Sequence, residues 1–222
     1  QNFYDEMKDI RIPLDITKSP QWNIQNYFKK YQKARSAEKM LTEQIENTKR
    51  EIAYLESVIN SIEQAENERD ISEITAELVS ARLIRSSGEK KAKKPASRGF
   101  AIFESTDGFV ILAGKNNSQN EELSLRVAEK TDIWLHAENI PGSHVVIICE
   151  GSTPTDKTLE EAAIIAACMS KAKAAGKVPV QYTEVKLLKK PSGTPPGFVI
   201  FSRYKTVYVT PDEQLFNKLR KQ

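Results

Sequence analysis

From Tyr27 to Ile62 the chain repeats apolar residues at alternating spacings of four and three: Tyr27, Tyr31, Ala34, Glu38, Leu41, Ile45, Thr48, Ile52, Leu55, Ile59 and Ile62. Nine of these eleven positions are apolar, and a heptad sustained for five repeats predicts a long helix with a coiled-coil seam. Ser19 suits the cap and Pro20 the first helical position. Asn67 and Asp70 punctuate the far end. Asp70 with Glu73 reads as the cap of a second helix carrying Ile71, Ile74, Leu78 and Leu83. At about 1.5 Å per residue the first helix would run roughly 70 Å and the second about 22 Å. The short helix therefore cannot cover the long seam. Either the chain dimerises through it, or the partner helix precedes Gln1 in a longer protein.

Charge is polarised along this arm. "YFKKYQKAR" packs Lys29, Lys30, Lys33 and Arg35 with three aromatics, whereas the stretch from Glu43 to Glu77 is mainly acidic. A basic, aromatic tip suits contact with a phosphate backbone, and the same lysines would equally make ordinary solvated helix surface. Upstream, "IRIPLDI" alternates like a short strand, so residues 2–18 read as a small turn-rich cap on that tip.

Residues 86–99, "SSGEKKAKKPASRG", are small and basic with no apolar period, which marks a linker. The expected division is an arm at 1–85 with its tip at 1–20, a linker at 86–99 and a domain at 100–222. In that last part, β-branched and aromatic runs predict strands at 100–104, 108–113, 132–136, 144–149, 180–187, 198–202 and 206–210. "TLEEAAIIAACMSKAKAAG" predicts a helix, with Thr158 and Glu161 as a capping box and Gly176 at its end. The fold class is α+β: a long coiled-coil helical arm followed by a compact mixed α/β domain.

Residues 1–85 carry 13 basic and 15 acidic side chains, and 86–222 carry 20 and 15, so the second part favours an anionic partner. No apolar run approaches the roughly 20 residues that span a bilayer, and "QNFYDEMKDI" does not read as a signal peptide. The expectation is a cytoplasmic protein without membrane insertion. Cys149 and Cys168 lie in apolar runs without CxxC spacing and read as reduced core residues.

The candidate site centres on "GKNNSQNEELS". Gly114 ends a strand, and Ser118 with Glu121 predicts a helix start beside Asn116, Asn117, Gln119 and Asn120, with Lys115 adding charge. Free N–H groups at a helix start can grip an anion, and so can serve as a ligand grip as well as a plain turn and cap. Amides do not titrate near neutral pH, which argues against acid–base work. His136 and His144 are placed by strand alternation and the Pro141-Gly142 turn on adjacent strands, with Asp132 and Ser143 nearby. Their spacing matches no metal motif and no nucleophile accompanies them, so hydrogen bonding or RNA contact is expected rather than catalysis. "KLLKKPSGTPPGFVIFSRYKT" adds Lys186, Lys189, Lys190, Arg203 and Lys205 around a hairpin with Phe198, Phe201 and Tyr204, a mixture suited to RNA, though equally ordinary solvated lysines on a hairpin. No cofactor and no metal are expected.

"GFVILAGKNNSQNEELSLRVAEKTDIWLHAENIPGSHVVI" closely resembles the NFACT-R domain of the RqcH/NEMF/FbpA family, and "NIQNYFKKYQKA" with "EIAYLESV" resembles that family's middle coiled coil. The resemblance spans nearly the whole chain. It implies a factor of ribosome-associated quality control that binds the stalled large ribosomal subunit near the stalk base, and tRNA. The family's N-terminal domain and first coiled-coil arm have no counterpart here, which implies a C-terminal part of a longer protein, without tail synthesis and without a catalytic residue. In Gram-positive bacteria the same family is also described as fibronectin-binding adhesins at the cell surface without an anchor, which makes fibronectin the alternative partner.

Overall fold

Ser19 opens the first helix as expected. Its Oγ accepts the Trp22 N–H at 3.2 Å, and α1 runs unbroken from Pro20 to Glu63. The computed structural model describes residue 7, residues 9–85 and residues 99–221. The described chain divides into two compact units, residues 1–51 and residues 52–222. The expected linker, apart from Gly99, lies outside the described residues.

In the first unit, "IRIPLDI" forms no strand; it lies exposed and ends in a turn at Ile16. Alternation alone does not make a strand when no neighbour supplies a ladder. The segment is tied to α1 by Asn23, whose Oδ1 accepts the Asp15 N–H at 2.9 Å while its Nδ2 donates to the Asp15 carbonyl. Tyr27 donates its hydroxyl to the Pro13 carbonyl at 2.6 Å.

The second unit begins within α1. There Tyr54 and Val58 are buried against Ile74 of α2 (Glu68–Ser80). These contacts use a face of α1 other than the heptad seam. Leu41, Ile45, Ile52, Leu55, Ile59 and Ile62 all stay exposed. The cap of α2 is Asn67, which accepts the Asp70 N–H, not Asp70 itself. Asp70 sits three residues inside and accepts the Glu66 N–H and the Asn67 amide, so the reciprocal pair lies three residues earlier than the sequence suggested.

Eight strands follow: β1 (Ala101–Glu104), β2 (Val110–Ala113), β3 (Ile133–Ala137), β4 (Val145–Ile147), β5 (Val178–Glu184), β6 (Leu188–Lys189), β7 (Ile200–Phe201) and β8 (Lys205–Val209). Six make one antiparallel sheet in the order β1-β2-β4-β3-β5-β8; β6 and β7 form a separate hairpin. Helices α4 (Asp156–Cys168) and α5 (Glu213–Leu219) cover one face. Leu135, Ala137, Val145, Ile147, Val178, Val180 and Val209 pack there against the Ala162–Ala167 run. The other face is covered over Trp134 and Val146 by Leu123, Val185 and Leu188. Leu123 opens a π-helical turn, Leu123–Val127, continuing from α3 (Asn117–Glu122).

Helix α4 departs from expectation at both ends. Thr155 caps it by accepting the Thr158 N–H, and it stops at Cys168 rather than Gly176. Thr158 and Glu161 face inward. Glu161 instead accepts the Thr106 N–H and hydroxyl at 2.9 and 2.8 Å, bracing the β1–β2 turn. Cys149 and Cys168 are free thiols, each raised above its ordinary pKa chiefly by burial. Among the described residues no helix is long and apolar enough to cross a membrane.

Candidate nucleic-acid interface

The amide loop is sealed rather than open. Asn116, Asn117, Gln119 and Asn120 are all buried. Asn116, not Ser118, caps α3 by accepting the Gln119 N–H at 2.8 Å. Asn120 accepts the His144 N–H at 2.9 Å and donates to the Gly142 carbonyl at 3.4 Å, joining α3 to the turn before β4. Gly114 is required by this approach, because a Cβ there would lie 2.3 Å from the Asn120 Oδ1 and 2.8 Å from its backbone N.

The remaining carboxamides hold α2. Glu73 Oε2 accepts from Gln119 Nε2 at 2.6 Å and Asn116 Nδ2 at 3.2 Å. Glu77, itself buried, accepts from Asn117 Nδ2 at 3.1 Å, from the Ser118 N–H and hydroxyl at 2.9 Å each, and from the Tyr54 hydroxyl at 3.0 Å. Burial beside the Glu77 carboxylate pushes the Tyr54 phenol well above its ordinary pKa. One turn earlier, Lys115 lies 3.5 Å from Asp70, and Arg220 forks onto Glu66 at 2.6 and 2.5 Å. That fork, opposed by partial burial, holds the Glu66 carboxyl below the usual range. One backbone N–H at the start of α3, that of Ser118, does meet an anion, and it is the chain's own Glu77.

The open grip expected of Lys115, Asn116, Asn117 and Asn120 is not formed: the three asparagines are buried and bonded within the fold, and Lys115 pairs with Asp70. Three further expected contacts are interior as well. Asp132 accepts the Cys149 and Glu129 N–H groups at 2.8 Å each. Ser143 is buried and donates its N–H to the Met169 carbonyl. His144 is buried, with Nδ1 2.7 Å from the Ser124 hydroxyl. Lys190 is ion-paired with Glu121.

His136 and His144 do lie side by side, with ring centroids 5.3 Å apart. Trp134 stacks on His136 at 5.8 Å and meets the His144 edge at 5.0 Å. Burial holds the half-buried His136 down to about 4. His144 is held well below its ordinary value by burial, then by its histidine neighbour. Both are neutral imidazoles at pH 7. Among the described residues no group of three His, Cys, Asp or Glu could hold a metal ion.

Expected cations that stay open are Lys29, Lys30 and Lys33 on α1, and Lys189 and Arg203 beside the hairpin; all are exposed, and none has a carboxylate within 4 Å among the described residues. Lys30 lies over the Tyr27 ring at 5.4 Å. Two contributors escaped the sequence reading: Tyr208 and Lys177, which form a cation–π pair at 5.8 Å. Lys205, one of the expected hairpin cations, is exposed at the sheet edge. A tyrosine two residues inside a predicted strand, on the face opposite Val207 and Val209, was the available signal.

An antiparallel sheet backed by two helices thus carries exposed cations beside aromatics, and among the described residues no group of His, Cys, Asp and Glu is placed to hold a metal ion. Two family models match: NFACT N-terminal and middle domains over residues 1–97, and NFACT protein RNA binding domain over residues 99–203. The chain is 48% identical over 223 residues to the Rqc2 homolog RqcH of Bacillus subtilis (strain 168), and 44% identical to that of Streptococcus suis (strain 05ZYH33). Each match covers 99% of this chain and 39% of the relative, so the chain spans about two fifths of their length. The solved C-terminal part of the fibronectin/fibrinogen-binding protein of Streptococcus suis superposes with a TM-score of 0.84 at 42% identity, covering 90% of this chain and 80% of that one. The chain belongs to the NFACT family.

Proposed function

We propose that this chain is the ribosome-binding C-terminal part of a cytoplasmic quality-control factor, contacting rRNA near the stalk base of the stalled large subunit together with tRNA, without catalysis of its own. The proposed division lies at the basic segment 86–99, and the meeting of the two matched models at residues 97 and 99 supports it. The observation that carries the reading is the α1 tip: Lys29, Lys30 and Lys33 are exposed, without a carboxylate partner among the described residues, beside Tyr27, Phe28 and Tyr31. Unpaired cations on a mixed-charge chain gain most from phosphate, because counterion release from the nucleic acid drives association.

The test is co-sedimentation of the full-length protein with large subunits over a salt series, wild type against K29E/K30E/K33E. The wild type should lose affinity steeply as salt rises. The triple variant should bind more weakly and with a slope shallower by roughly 0.7–0.9 for each phosphate contact removed. Unchanged co-sedimentation removes the tip from the reading. The Streptococcus suis relative's name favours one rival partner, fibronectin. A contact of that kind, dominated by apolar burial, would vary little with salt.

A further inference from the structure

We propose that the uncovered part of the sheet, across β3, β5 and β8, is a stacking platform for unpaired RNA bases. This rests on the reading of the chain as an RNA binder and places a second contact on the domain, separate from the α1 tip.

The register defines the platform. His136 pairs with Gln181, Gln181 with Thr206, and Pro179 with Tyr208, so all five side chains share the face opposite α4. The two core clusters explain why it is open. Val178, Val180 and Val209 fill the α4 side, while the cover on the other side is centred on Trp134 and Val146. Tyr208 is 62% exposed, an unusual fate for a large aromatic in a strand. Tyr204, 51% exposed, extends the surface: its ring meets Phe201 at 5.4 Å, Phe201 meets Trp134 at 5.2 Å, and Trp134 stacks on His136. A continuous aromatic file thus leads from the interior to solvent, which holds the outer rings in place.

Charge selects the occupant. Lys177 sits over the Tyr208 ring, and Arg203 directly precedes Tyr204; both are exposed without a carboxylate partner among the described residues. Glu184, at one end of β5, is neutralised by Lys186, and half-buried Glu138 bounds the other end. Flat, rigid rings with cations beside them suit splayed bases with their phosphates alongside, whereas a duplex hides its base faces and offers only backbone. The neutral His136 presents a π face without adding charge.

The experiment is fluorescence anisotropy of the whole chain with a labelled single-stranded oligouridylate and, separately, a short RNA duplex. Y204A, Y208A, Y208F and the K29E/K30E/K33E tip variant are compared with wild type. Each alanine variant should lose roughly tenfold in single-strand affinity, Y208F should retain it, and duplex binding should hardly change. Both tyrosines are exposed, and melting curves matching wild type establish that the variants fold. If the alanine variants bind single strands like wild type while the tip variant does not, the platform is wrong and the RNA reading stands. Equal losses on both probes would mean charge contact without stacking, and no binding by wild type would end both.

Discussion

Asn120 and Gly114 show how a polar residue can be structural without being inert. Asn120 offers an acceptor to His144 and a donor to Gly142, and Gly114 leaves the room it needs. A carboxamide carries both functions at once, which is why four cluster where backbone and carboxylates converge. The histidine pair carries a prediction at this scale. Unfolded imidazoles protonate near 6.5, while burial holds His136 down to about 4 and His144 well below normal. The unfolded chain therefore binds more protons across that interval. Stability is full above about 6.5 and falls as pH drops toward about 4. Glu66, whose folded value is depressed, loses its contribution only at lower pH, as that depressed value is crossed. Melting temperature should decrease between about pH 7 and pH 5; a flat profile would mean that the pair is already charged or exposed when folded.

At the scale of elements, α2 is a staple. Asp70, Glu73 and Glu77, with Glu66 just ahead of the helix, recur at spacings of four, three and four, and each meets a donor or a cation from the sheet domain. The far end of the acidic stretch, from Glu66 to Glu77, is therefore an adhesive face. Glu77 is the strongest point, since four donors converge on one buried carboxylate. Glu77→Ala leaves the Tyr54 hydroxyl and the Asn117 amide without their partner, and should cost roughly 2–4 kcal/mol in denaturant unfolding. Faster hydrogen exchange at the Ser118 amide would accompany it. Glu46→Ala, at an exposed position on α1, should change stability by less than about 0.5 kcal/mol.

At the scale of the molecule, the seam of α1 is an exposed apolar row with no partner among the described residues. Leu41, Ile45, Ile52, Leu55, Ile59 and Ile62 form a row with coiled-coil spacing. We expect the isolated chain to dimerise in sedimentation equilibrium, with L41E/I45E monomeric. A monomer at every concentration would overturn that expectation. The fold class, the strand order along the chain and the long helix were legible because heptad and alternation are local periodicities. Cap positions slipped by two or three residues for α2, α3 and α4, since neighbouring Asn, Ser, Thr and Asp all satisfy the same local rule.

The sequence alone determined which segments bury a face, where the cations cluster and which family the motifs resemble, because periodicity and composition are written into contiguous residues. Only the tertiary structure decided that Asn116, Asn117 and Gln119 would meet Glu73 and Glu77, some forty residues earlier in the chain, and that Tyr208 would meet solvent. A side chain's partner depends on what the fold brings opposite it, and a strand's two faces look alike until one of them is covered.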